Sequence, residues 1–152
     1  MRLGLLCAVL LCASVMRGEM PCPWVTEGTA AKVLGSEVSL EAKLTTAMTG
    51  TCVFRSRQAS GGSELEVEVS SSSLMGCPGK SEKLRGIGSE AVQCEPARSS
   101  SGEAHSVVES RVRKVFLRVT LSVPTAGGAA FPAERQREIV TEVAEQVAGN
   151  LF

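Results

Sequence analysis

Residues 64–70, ELEVEVS, put Leu65, Val67 and Val69 on one side and Glu64, Glu66 and Glu68 on the other. That period-two contrast marks a strand buried on one face only. It recurs over residues 105–123, where Val115, Leu117, Val119, Leu121 and Val123 alternate with Phe116, Arg118, Thr120 and Ser122. The charged stretch 111–114 interrupts the pattern. This predicts a hairpin of 105–111 and 114–123, with one long bent strand as the alternative. Residues 51–57 and 90–95 also read as strands, and 37–44 alternates loosely enough to be one. Gly61-Gly62 within 58–63 predicts a hairpin loop, and Cys52 shares a face with Phe54.

Two segments change period. Ile139, Val140, Val143, Val147 and Leu151 recur at spacings of three and four, opposite Arg135, Glu138, Glu142 and Glu145, which predicts an amphipathic helix. Pro132 suits its first turn, and Gly149-Asn150 is expected to stop it near Ala148. Toward the other end, Thr26 is a good N-cap, Glu27 suits a first turn, and Gly35 suits a C-cap. Between them Ala30, Ala31, Val33 and Leu34 form an apolar side, so a short helix is predicted, weakened at Gly28 by about 1 kcal/mol relative to alanine. Residues 70–83 and 96–102 lack a regular period, and their serine runs read as flexible loops. Gly86-Ile87-Gly88 reads as a tight turn into the strand that follows. The expected fold is α+β. An antiparallel sheet of about five to six strands packs with a short N-terminal helix and a C-terminal amphipathic helix.

The uncharged run 3–16 follows Arg2 and ends at Arg17 and Glu19. It has the length of a signal h-region and is too short to span a bilayer comfortably. Residues 1–18 therefore read as a signal peptide, cut near 14 or 18, leaving 19–152 as one domain without a transmembrane span. The destination is outside the cell, or the periplasm or cell envelope. Lipid anchoring is not indicated, because Leu11 precedes Cys12 and Pro21 precedes Cys22, and neither is a small residue.

Export changes the meaning of the cysteines. Cys7 and Cys12 leave with the signal, while Cys22, Cys52, Cys77 and Cys94 remain. Four cysteines in an exported chain imply two disulfides, with three possible pairings. Cys22–Cys52 and Cys77–Cys94 close the shortest loops and are favoured. Zinc is disfavoured, because no CxxC pair occurs and His105 is the sole histidine.

Charge excludes more than it assigns. Without Arg2 and Arg17, 14 basic residues face 16 acidic ones, which does not call for nucleic acid or an anionic membrane. The core must be aliphatic, because Trp24 and four Phe are the only aromatics. His105 is the single candidate for imidazole acid–base work. No G-x-S-x-G elbow occurs, and Gly86-Ile87-Gly88 lacks the third glycine of a dinucleotide fingerprint. No catalytic, cofactor or metal set emerges. Arg111, Arg113 and Lys114, with Arg118 nearby, form a basic stretch suited to an acidic partner or a phosphate. Trp24, between Pro23 and the first helix, either caps the core or stands at a binding surface. The glutamate rows read as solvated faces.

Taken together, segment 22–35, Thr51-Cys52-Val53-Phe54, Gly86-Ile87-Gly88-Ser89-Glu90-Ala91, and segments 115–123 and 139–151 form a recognisable order. It resembles small exported or lipid-anchored bacterial proteins of the actinobacterial domain-of-unknown-function kind. That resemblance implies an antiparallel sheet packed with helices, and it carries over no catalytic residues. The expected role is non-catalytic: an exported binding domain or a structural part of the cell envelope, with a protein or a small apolar molecule as partner. One alternative is a carrier, which needs a cavity of several hundred Å³ between sheet and helix. Another is a hydrolase, which needs a serine and a carboxylate within hydrogen-bond reach of His105.

Overall fold

The computed structural model describes residues 20–152 except 59–61, 74–75, 101 and 126–130. The expected signal peptide, with Cys7 and Cys12, lies outside the described residues, as does Gly61 of the expected hairpin loop.

The first helix, α1 (Glu27–Leu34), begins where Thr26 accepts a 3.1 Å hydrogen bond from the Thr29 amide and ends at Gly35 in the left-handed conformation. Ala30, Val33 and Leu34 are its buried side. Then come β1 (Val38–Leu44), β2 (Gly50–Ser56), β3 (Glu64–Ser70), β4 (Ser81–Leu84), β5 (Glu90–Cys94), β6 (Ala97–Arg98), β7 (Glu103–Val112), β8 (Val115–Pro124) and α2 (Ala133–Asn150). The strands form one eight-stranded sheet in the order β1-β2-β3-β8-β7-β5-β4, with β6 paired to β7. Every pairing is antiparallel.

The register lines up the apolar positions read from the sequence. Cys52, Val67, Val119 and Val108 form one row across four strands, and Phe54, Leu65 and Leu121 form the next. These residues have no solvent exposure. Helix α1 packs against β1 and β2, and α2 packs against β7 and β8. Ile139, Val140, Val143, Ala144 and Val147 of α2 complete the core. Each large aliphatic side chain buried there contributes roughly 1.5–3 kcal/mol.

The α+β class and both helices match the expectation, but the sheet is larger than five to six strands. The additions are β4 and β6, in segments without period. All of β4 is exposed or half-exposed, and β6 is exposed throughout. Neither buries an apolar face, so neither could carry the alternation that announces a strand. They form because a neighbouring strand offers unpaired backbone groups. Helix α2 also differs at its ends. Pro132 is the N-cap, and the helix runs through Gly149 to Asn150. Two anchors past Gly149 hold the last turn: Leu151 is buried, and the Asn150 side-chain amide donates to the Trp24 carbonyl at 2.9 Å.

Cys22 is bridged to Cys52, which hooks the N-terminal lead-in onto the core side of β2. Trp24 follows it inward and is only 2% exposed. It is a core residue, which corrects the expectation that it could stand at a binding surface. Its indole N–H has no hydrogen-bond partner among the described residues. No described helix is long and apolar enough to cross a membrane.

Candidate functional site

Both helices lie on one side of the sheet, so the alternating polar residues face the other. There Arg55 bonds Glu41 at 2.8 Å and Glu64 at 2.7 Å, while Arg118 bonds Glu109 at 2.9 Å. Hydrogen bonds from Lys43 and Arg55 hold the Glu41 carboxyl down at about 2. Glu66 is pushed up, first by partial burial and then by repulsion from Glu68 and Glu64. Most of this face is therefore a self-satisfied lattice of charge, as expected for a solvated surface.

One end of it is different. Strands β3 and β4 are separated in the sheet by β8, β7 and β5, so the chain linking them must pass all three. Cys77 of this link is bridged to Cys94 of β5. Successive side chains in a strand point to opposite faces. Gln93 points to the helix side, where its amide donates to the Arg137 carbonyl of α2 at 3.1 Å. Cys94 therefore points to the helix-free side, and the disulfide fastens the link there.

Beneath the link is a groove of about 290 Å³. Ser73 and Gly76 line it from the link, and Val92, Glu109, Arg111 and Phe116 line it from the sheet. Val92 and Phe116 are half-buried. Glu90 also lines it, directly opposite Arg111 in the β5–β7 register. Neither Glu90 nor Arg111 forms an ion pair among the described residues. The same two residues border an adjoining open hollow of about 550 Å³ with Gly88, Ser89, Arg113 and Phe152. Arg113 stacks 5.5 Å from the Phe152 ring centre.

Of the basic stretch singled out in the sequence, Arg111 thus lies on the sheet face between two concavities. Arg113 and Lys114 form the two-residue turn that joins β7 to β8. Arg113 reaches one hollow, and Lys114 is exposed beside it and lines neither. Trp24 does not join them. The sequence reading missed Glu90, Val92 and Phe116 as site residues. One signal was present: Cys77 sits in an aperiodic segment and pairs with a strand cysteine, so that segment had to lie against the sheet.

His105 has different company. Its Nδ1 lies 2.9 Å from the Ser122 hydroxyl, its cross-strand partner, on the helix-free face. Its Nε2 is 4.0 Å from Glu103, beyond hydrogen-bond reach. Strand β8 is paired on both edges, so amides around Ser122 are committed to the sheet rather than offered to an oxyanion. Among the described residues, the serine–histidine contact is the part of a serine-hydrolase constellation that is in place. Among the described residues, no group of three or more His, Cys, Asp or Glu is placed to hold a metal ion.

The groove lies on the opposite side of the sheet from the helices, whereas a second, open concavity of about 850 Å³ lies between the sheet and α2 and is lined by Glu82, Gln93, Arg137, Thr141 and Glu142. Comparison of the chain with protein-family models, with curated proteins and with solved structures finds no match.

Proposed function

We propose that this chain is an exported, non-catalytic binding domain whose ligand site is the groove beneath the β3–β4 link. The observation that supports this reading best is the Cys77–Cys94 bridge, which holds the link over a floor formed by Val92 and Phe116. A bridge that ties one end of the link to β5 avoids part of the ordering cost of binding. Val92 and Phe116 give the floor apolar surface beside Glu109, and its rim carries a guanidinium without an ion-pair partner among the described residues, the mixture typical of small-molecule sites. Export is part of the same proposal. It draws on the two disulfides, which persist in oxidising compartments, and on the N-terminal segment that reads as a signal peptide. The resemblance to small exported bacterial domains points the same way.

A thermal-shift screen of small molecules against the oxidised protein and a Val92→Arg variant tests the site. Val92 is half-buried on the helix-free face, so the arginine enters the groove without entering the core. A ligand at about one hundred times its Kd stabilises the folded state by about 2.7 kcal/mol. For a domain of this size the midpoint then rises on the order of 10 °C. Ligands are expected to raise the midpoint of the parent and not of Val92→Arg. Equal shifts in both proteins, or none in the parent, would overturn the proposal.

A further inference from the structure

We infer that the groove takes a free aliphatic α-amino acid, held as its zwitterion between Arg111 and Glu90. This rests on the groove being the binding site. Arg111 and Glu90 are opposite charges, direct neighbours across β5 and β7, and both line the groove. Neither side chain forms an ion pair with the other or with any other described residue. The other acid of the groove, Glu109, is already bound to Arg118. Two uncommitted charges of opposite sign at one mouth match a ligand that carries both charges on groups attached to one carbon. The guanidinium meets the carboxylate through paired N–H donors, and the Glu90 carboxylate accepts from the ammonium.

The remainder of the groove sets the side chain. Val92 and Phe116 are apolar and line the groove beside the two charges, so they favour an aliphatic group. Glu109 stands there too and disfavours an acidic one. The groove, about 290 Å³, has room for a ligand of leucine's size.

Titrations followed by amide resonances of the oxidised protein test this, with L-leucine, leucine amide, N-acetyl-leucine and L-aspartate as probes. Leucine is expected to shift the amides of Val92, Glu109 and Phe116. Leucine amide and N-acetyl-leucine each lose one charged contact and should bind roughly tenfold or more weakly. Aspartate should not saturate. Arg111→Gln should weaken leucine and N-acetyl-leucine while leaving leucine amide unchanged, and Glu90→Gln should weaken leucine and leucine amide while leaving N-acetyl-leucine unchanged. Both residues are exposed, so neither variant threatens the fold. If N-acetyl-leucine binds as well as leucine, the site is an anion site and the zwitterion inference fails. If leucine moves no groove amide while a screened ligand is lost in Val92→Arg, the inference fails and the groove stands. If no ligand depends on Val92, the groove itself fails.

Discussion

Gly88→Ala tests the packing of the turn that carries Glu90 into the sheet. Gly88 has φ +63°, in the left-handed region, where a side chain costs roughly 1–2 kcal/mol. A Cβ there would lie 2.3 Å from the Arg111 carbonyl oxygen and 2.8 Å from the Ser110 hydroxyl. Backbone, not a flexible side chain, is in the way, so the turn has to lift off β7. Lifting it strains three hydrogen bonds: the Ser89 N–H and hydroxyl to the Arg111 carbonyl at 2.8 and 3.0 Å, and the Ser110 hydroxyl to the Ile87 carbonyl at 2.9 Å. Each contributes about 0.5–1.5 kcal/mol. Ile87, only 1% exposed, also loses part of its burial. A total of about 3–5 kcal/mol follows, a large part of a typical domain stability of about 5–15 kcal/mol. Gly86→Ala is the control. Gly86 has φ +85°, but a Cβ there would meet nothing within 4 Å, so only the backbone cost of roughly 1–2 kcal/mol applies. Urea unfolding of the oxidised proteins, followed by the fluorescence of buried Trp24, measures both. If the two variants agree to within about 0.5 kcal/mol, the close approach of Gly88 to β7 does not restrain the fold and the reasoning is refuted.

Replacing Cys77 and Cys94 by serine opens a loop of 17 residues and should cost about 3 kcal/mol by chain entropy; the same change at Cys22 and Cys52, with a separation of 30, should cost about 4 kcal/mol. Chemical denaturation checks both, and only the first pair should also abolish ligand binding in the groove. Arg113 has φ +55° in a two-residue hairpin turn, so Arg113→Gly in a Phe152→Ala background, where the ring contact is already absent, should stabilise by about 1 kcal/mol, read as a rise in the urea midpoint. Glu66 holds its proton more tightly folded than unfolded, so its ionisation lowers stability as pH rises from about 4.5 through the raised folded value. Glu66→Gln should therefore raise the melting temperature at pH 7, and the advantage should vanish below pH 4.5, where the carboxyl is neutral in both states; a constant difference across pH would contradict the assignment.

The positions that bury side chains at a fixed period were legible without coordinates. ELEVEVS is β3 to the residue; the segment read as 105–111 is β7 extended at both ends, and that read as 114–123 is β8 shifted by one residue. Thr26 and Gly35 bound α1 as their capping chemistry predicts. These are local properties: a period, a cap, a turn. Strand β4 was not legible, because its Ser-Glu-Lys-Leu sequence buries only part of Leu84 and its existence depends on the free edge of β5. The burial of Trp24 was open for the same reason, since a disulfide and the distant Asn150 decide it.

The candidate site divides along that line. The sequence by itself determined the class of fold, which faces are buried, and that Arg111 stands in a basic stretch. It also supplied an even set of cysteines for the two bridges. Only the tertiary structure decided that β3 and β4 lie three strands apart, that the link between them runs on the helix-free face, and that Glu90 pairs in register with Arg111. Strand order is set by contacts between residues distant in sequence, and periodicity reports only which way each side chain points. The groove arises from strand order, and so it became visible only when the sheet was assembled.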